Sequence, residues 1–243
     1  MPSSERVKAL LLAGGLGTRL RPITDTVPKC LVPVAGKPLV DYWFDRLELA
    51  GISRVLMNTH HHAELVRAHL AEVMRNRSLE IQEAHEPKLL GSAGTVHANR
   101  AWADDADEVV IIYADNLSNV DLGNVLAFHR SHADPLTMML FHTPYPKQCG
   151  IASLDENGRI LEFVEKPAEP KSDLANAGLY VVGADAYREI ADRNVFDFAF
   201  DILPTFLGRM SGFVFEGYHR DIGNLVALEQ AHRDVPTAFG SPE

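Results

Sequence analysis

Two short apolar runs stand out along the chain, Val7–Ala13, interrupted only by Lys8, and Val109–Tyr113. Such runs suit strands buried on both faces. The first stops at Gly14-Gly15 and the second runs on to Asp115. Between them the apolar period changes to that of a helix. Leu39, Val40, Trp43, Phe44 and Leu47 share one face of a helix opened by Pro38 and stopped near Gly51. Leu65, Val66, His69, Leu70 and Val73 line one side of a second helix over His61–Arg75. Strands are predicted at Arg54–Asn58, Leu79–Ala84 and Leu136–His142, and helices at Ala93–Trp102 and Leu122–His132. This alternation predicts a mostly parallel sheet with helices on both faces.

The second half reads differently. Ile151–Leu154 and Arg159–Val164 flank Asp155-Glu156-Asn157-Gly158, a hairpin turn signal. Ala177–Val182 reads as a strand and Asp185–Asp192 as a helix. Phe200–Leu207 reads as a helix broken early by Pro204. Phe213–Phe215 and Gly217–His219 read as short strands, and Leu225–Arg233 as a last helix. The expected architecture is α/β: a Rossmann-like, mixed, mostly parallel sheet with an inserted antiparallel part. One domain is expected over 1–236, followed by a frayed tail over 237–243.

Composition narrows the class. At 243 residues, 46% hydrophobic and 23% charged, the chain can bury a large core without disulfides. The net charge of −10 argues against a general affinity for nucleic acid or anionic membrane, since both need a basic surface. A few placed cations can still form a local phosphate site. Cys30 and Cys149 are far apart with no CxxC spacing, and no stretch approaches membrane-spanning length. The opening MPSSERVKALLLAGG lacks a signal-peptide pattern, so a cytoplasmic location is expected. Self-association stays open.

The chemistry concentrates in LLAGGLGTRLRPIT, Leu11–Thr24. A strand ends, Gly14, Gly15 and Gly17 allow backbone N–H groups close to a ligand, and Arg19 adds a permanent forked cation. Bare amides plus an arginine suit a triphosphate. The dinucleotide fingerprint fails because Leu20 stands at its third glycine. The Walker pattern fails because Pro38 follows Gly36-Lys37. In VPKCLVPVAGKPLVDY, Val27–Tyr42, two prolines stiffen the loop that carries Lys29.

These two segments, GGxGTRLxPxT followed by PK and GKP, resemble the signature of the sugar nucleotidylyltransferase (nucleotide-sugar pyrophosphorylase) family. Further likenesses follow in order: GSAGTVHANRAW from Gly91, VEKP from Val164, NAGLYVV from Asn176 and RDIGN from Arg220. Within the family the chain is most like mannose-1-phosphate and heptose-1-phosphate guanylyltransferases. The resemblance implies a transfer that joins a sugar 1-phosphate to a nucleoside triphosphate, with Mg²⁺ as cofactor and pyrophosphate as the second product.

It also implies roles. Arg19 and Lys29 match the triphosphate-binding pair, and Leu12, Ala13, Gly14, Gly15, Gly17 and Thr18 its nucleotide loop. Asp115 and Asp221 match the metal-binding aspartates, and with Arg19 and Lys29 form the expected catalytic set. Glu86 and Gly91 fall where the family reads the base. Glu86 can accept the paired N–H donors of guanine, or the base can be read by main chain alone. Glu165 and Lys166 match the residues for sugar hydroxyls and sugar phosphate, and Gly150 and Asn176 line that pocket. One departure is Ala114, where the family has glycine; less room is expected there beside the backbone.

Other features carry less chemistry. His60-His61-His62 is expected to form a strand-to-helix turn, because neighbouring side chains diverge. Cys149 has no evident activating partner. No hexapeptide repeat is present, so no β-helix is expected. The remaining alternatives are a thymidylyl-, cytidylyl- or uridylyltransferase, a transferase acting on phosphocholine, and a non-catalytic nucleotide-sugar-binding subunit.

Overall fold

The computed structural model describes residues 6–240. Its elements are β1 (Val7–Leu12), β2 (Pro33–Val34), β3 (Lys37–Pro38), α1 (Leu39–Leu49), β4 (Arg54–Thr59), α2 (Ala63–Asn76), β5 (Glu80–His85), α3 (Ser92–Ala98), β6 (Glu108–Tyr113) and β7 (Asn116–Ser118). They continue with α4 (Leu122–His129), β8 (Leu136–His142), β9 (Gly150–Leu154), β10 (Ile160–Glu165), β11 (Leu174–Gly183), α5 (Ala184–Ala191), β12 (Met210–Phe215), β13 (His219–Asp221) and α6 (Leu225–Ala238).

The apolar run at Val7 is buried because it forms the centre of the sheet. β1 pairs in parallel with β4 on one side and β6 on the other, and β5 extends the β4 edge in parallel. Beyond β6 the sheet turns mixed: β11 runs antiparallel to β6 and β8, and β12 pairs in parallel with β8. The β9–β10 hairpin joins the other end of β11 through Ala175 and Ile151.

The period-2 alternation of the strands divides the core in two. Val7, Ala9 and Leu11 of β1, with Val110 and Ile112 of β6, pack under α1, α2 and α4. Leu10 and Leu12, with Val109 and Ile111, face α3, α5 and the turns after Phe198. Each fully buried Leu or Ile contributes about 1.5–3 kcal/mol relative to exposure, so a strand buried on both faces gains from every apolar residue. A third cluster lies off the sheet, where Leu20, Val32, Leu39 and Tyr42 meet Leu117, Ile222 and Leu228. It clamps the loop after β1 against α6, which is what brings the two ends of the chain together.

The structure refines several expected boundaries. The helix expected over Ala93–Trp102 stops at Ala98, and a 3-10 turn over Arg100–Ala103 follows. Asn99 Nδ2 donates to Thr95 O at 2.9 Å, so its side chain competes for the helical carbonyl. The expected Phe200–Leu207 helix is a π turn over Phe198–Ile202 and a 3-10 turn over Leu203–Phe206. Pro204 has no amide hydrogen to continue a helix.

The expected strand over Gly217–His219 lies at His219–Asp221, paired with β7, which the apolar pattern does not announce. The last helix passes Arg233 and Pro236 and ends at Ala238. Phe239 then packs edge-on against Tyr42 at 5.0 Å and Tyr218 at 5.9 Å, so aromatic packing orders part of the expected tail. Residues 241–243 of that tail, and 1–5 of the opening segment, lie outside the described residues. No helix among the described residues is long and apolar enough to cross a membrane.

Candidate active site

The loop after β1 is shaped by contacts on both sides. At its start, Ala13 N and Gly14 N donate to Asn58 Oδ1 at 2.6 and 3.1 Å. Farther on, Gly17 adopts φ 63, and Thr24 Oγ1 donates to its carbonyl at 2.8 Å. A Cβ on Gly17 would stand 2.8 Å from Thr24 Cγ2 and 3.2 Å from Lys29 Cβ, so glycine is required by both conformation and space. Gly15, Thr18 and Arg19 remain exposed, while Leu20 plugs the third apolar cluster.

Lys29 follows in a 3-10 turn over Lys29–Leu31 and is only 8% exposed. Its ammonium donates to Asp115 Oδ2 at 2.7 Å and lies 3.9 Å from Asp221 Oδ1. The two aspartates are distant in sequence and meet through backbone pairing. Asn116 of β7 stands opposite Asp221 of β13, and Ile222 N donates to Asp115 O at 3.0 Å. Trp43 Nε1 of α1 donates to Asn116 O at 2.7 Å and fixes β7 from below.

Arg19 Nη2 and Asp221 Oδ2 both reach over Gly223, where a methyl would lie 2.9 and 2.6 Å from them. Desolvation and the negative charge of Asp115 raise the pKa of Asp221, while Lys29 and Arg19 oppose the rise. Arg19, Lys29, Asp115 and Asp221 therefore share one recess, two cations facing two carboxylates. Ala114 is fully buried and its methyl belongs to the core under α1 and α4.

A second group gathers beside them. Glu165 ends β10 opposite Gly150 of β9, and a Cβ on Gly150 would meet Glu165 Oε2 and Phe163 Cζ at 2.5 Å. A larger residue there would displace the ends of both side chains. Lys166 turns out of the hairpin with φ 50, its amide donating to Cys149 O at 3.0 Å and its side chain 65% exposed. A left-handed lysine costs roughly 1–2 kcal/mol, and such strain gathers at functional sites. Its ammonium lies 3.6 Å from Glu165 Oε1.

Asn176 sits at the bulge of β11, where its Oδ1 accepts from Gly178 N at 3.0 Å and its Nδ2 donates to Tyr180 Oη at 2.7 Å. Asn116 Nδ2 donates to Ala177 O at 3.0 Å and ties this bulge to the strand after Asp115. Burial raises the pKa of the Cys149 thiol; Thr143 opposes through a hydrogen bond, and the charges of Glu165 and Asp221 add to the rise. That thiol is not an activated nucleophile. The Asn116–Ala177 hydrogen bond sets the two groups side by side.

Glu86 and Gly91 bracket the loop between β5 and α3. Glu86 is 3% exposed, with Oε2 accepting from Leu90 N at 3.0 Å and Oε1 accepting from Asn58 Nδ2 at 2.9 Å. Asn58, Thr95 and Trp43 were not singled out for chemistry from the sequence. Asn58 closes an ordinary strand and Thr95 lies inside an ordinary helix, so only their tertiary hydrogen bonds reveal them. His60–His62 form the expected turn, with His62 at φ 53 before α2. Among the described residues no cluster of three or more His, Cys, Asp or Glu gathers to hold a metal by itself. Two converging carboxylates nevertheless fit Mg²⁺, which binds through one or two carboxylates and takes its other oxygens from water and substrate phosphate.

Comparison with known proteins follows the same lines. A family model described as nucleotidyl transferase matches residues 8–238. The chain is 32% identical over 225 residues to the mannose-1-phosphate guanylyltransferase of Mycobacterium tuberculosis, covering 91% of this chain and 62% of that relative. It is 31% identical over 245 residues to the glucose-1-phosphate thymidylyltransferase of Streptomyces griseus, covering 94% of this chain and 66% of that one. The chain thus spans less than two thirds of the length of either relative. A Bacillus anthracis structure, described as a glucose-1-phosphate thymidylyltransferase in complex with a sucrose, matches with a TM-score of 0.84 at 26% identity, over 93% of this chain and 94% of that one.

Proposed function

Because the chain belongs to the nucleotidyl transferase family, we propose that it joins a sugar 1-phosphate to a nucleoside triphosphate, GTP and a manno-configured sugar being the preferred pair. The convergence of Arg19, Lys29, Asp115 and Asp221 in one recess carries this reading.

The sugar phosphate oxygen attacks the α-phosphorus in line. The new P–O bond forms as the bond to the β-phosphate breaks, and pyrophosphate leaves with that electron pair. The attacking phosphate is already a competent nucleophile, so no covalent enzyme intermediate is needed. The work of the protein is to bring two anions together at the right angle. The exposed amides of the loop after β1 and the guanidinium of Arg19 hold the triphosphate, and Lys29 neutralises it from below. Lys166 holds the acceptor phosphate. Glu165 and Asn176 orient the sugar against the wall at Gly150. Asp115 and Asp221 would hold Mg²⁺, which supplies charge neutralisation at phosphate oxygens when bound. The unbridged Cys30 and Cys149 suit the reducing cytoplasm as the site of reaction.

Support for GTP and a manno sugar comes from the guanylyltransferase relative and from the loop pattern around Gly14 and Lys29. The thymidylyltransferase relative makes dTTP with glucose 1-phosphate the natural competitor. The test is pyrophosphate release across GTP, ATP, CTP, UTP and dTTP, each with mannose 1-phosphate and glucose 1-phosphate. The highest kcat/KM is expected for GTP with mannose 1-phosphate. A preference for a pyrimidine triphosphate would overturn the guanylyl assignment, and no release from any pair would overturn the transferase reading.

A further inference from the structure

Asn58, at the carboxyl end of β4, is 5% exposed and saturates its side-chain amide. Its Oδ1 accepts from Ala13 N and Gly14 N at 2.6 and 3.1 Å; its Nδ2 donates to Glu86 Oε1 at 2.9 Å and to Thr95 Oγ1 at 3.3 Å. One side chain therefore grips the start of the phosphate loop with its oxygen and the base loop with its nitrogen.

Glu86 completes the link. A buried carboxylate must be surrounded by donors. Oε1 accepts from Asn58 and from Thr95 Oγ1, the latter at 2.5 Å, and Oε2 accepts from Leu90 N at 3.0 Å. The backbone carbonyl of Glu86 faces His60 Nδ1 at 2.7 Å. A carboxylate engaged this way at 3% exposure offers no open face to a nucleobase.

We infer that Asn58 is a positioning residue that locks the phosphate loop to the base loop, and that Glu86 serves this lock rather than reading the base. Base discrimination then falls to main-chain groups of the loop that Glu86 holds. The inference rests on the nucleotide-binding part of the proposed function, yet the lock itself belongs to the free protein. It predicts behaviour that separate loops would not show. Loosening either partner should loosen both loops, because the Asn58–Glu86 hydrogen bond, supported by Thr95, joins them, and beside it only the apolar approach of Leu89 to Gly14 is seen among the described residues.

Two measurements test it, on Asn58→Ala and on Glu86→Gln. Glu86→Gln keeps the shape but turns an amide NH₂ toward an existing donor, and it carries the test alone if Asn58→Ala does not fold. The first measurement is amide hydrogen exchange of the ligand-free protein. Each variant should speed exchange by about ten-fold or more both at Ala13–Gly14 and at Leu90. Acceleration confined to Ala13–Gly14 in Asn58→Ala, or to Leu90 in Glu86→Gln, would overturn the lock.

The second is calorimetric binding of GTP and ATP to wild type and Glu86→Gln. Both Kd values should rise by a similar factor, about ten-fold, with their ratio changed by less than about two-fold. A collapse of the ratio would make Glu86 the reader of the base. If the wild type binds no triphosphate, the functional reading fails, and hydrogen exchange still decides the lock.

Discussion

The ammonium of Lys29 donates to Asp115 Oδ2 at 2.7 Å, with Asp221 Oδ1 at 3.9 Å on its other side. One nearly buried cation thus spans the two carboxylates proposed to hold the metal. Desolvation and the repulsion between the two carboxylates raise the pKa of Asp221, and the ammonium opposes that rise.

Asp115→Asn and Asp221→Asn each remove a charge from this set while keeping its shape. Each should lower kcat at least a hundred-fold, on the order of 3 kcal/mol, with a much smaller loss of folding stability, since both side chains keep some solvent contact. Excess chelator should abolish turnover in the wild type, and added Mg²⁺ should restore it. Steady-state kinetics beside urea unfolding of the same variants provides the check. Full turnover in chelator would remove the metal from the account.

The two site lysines lie in different groups and should serve different substrates. Lys29→Ala should mainly raise KM for the triphosphate and Lys166→Ala mainly that for the sugar phosphate. Each loses a charge-assisted contact of about 1.5–3 kcal/mol, roughly ten- to a hundred-fold in the relevant constant. Lys29→Ala should also destabilise the fold, because it leaves Asp115 and Asp221 facing each other, whereas the exposed Lys166 should not. Equal shifts of both substrates in both variants would undo the assignment.

Much of this arrangement was legible in the sequence, for definite physical reasons. The parallel centre of the sheet is readable at Val7 and Val109 because strands buried on both faces admit no polar alternation. The glycine loop after β1 is readable because glycine and arginine there have a narrow use. β7 was not readable: Asn116, Leu117 and Ser118 are too short a run to announce a strand, and they form one because β13 lies beside them. Pro236 hid the last turn of α6, which packing by Phe239 on Tyr42 maintains. Glu86 was legible as a residue of the loop between β5 and α3, but its inward orientation depends on Asn58 and Thr95, whose roles exist only in the folded chain.

Away from the site, His129 should set part of the acid sensitivity of the fold. It is 7% exposed and faces Thr137 Oγ1 at 2.8 Å. Burial lowers its pKa from 6.5 to about 4, with Glu108 opposing and His132 and Arg130 assisting. Below pH 6.5 the unfolded chain takes up a proton that the folded protein refuses until about pH 4. The unfolded state binds more protons in that window, so stability falls as pH drops through it and levels off below. Over the whole window the loss amounts to about 3 kcal/mol. In urea unfolding at pH 7 and pH 4.5, His129→Gln should lose about 2 kcal/mol less than wild type over that interval. Equal losses would mean that His129 titrates normally in the folded protein.

The central claim is that this recess transfers a nucleotidyl group to a sugar phosphate, and quantifying both products of one reaction tests it most directly. With the best triphosphate and sugar 1-phosphate supplied together, nucleotide-sugar and pyrophosphate should form in equal amounts. Neither should appear without the sugar phosphate, and both should be lost in Asp115→Asn. Pyrophosphate released without a sugar phosphate, or nucleotide-sugar formed undiminished by Asp115→Asn, would contradict the account.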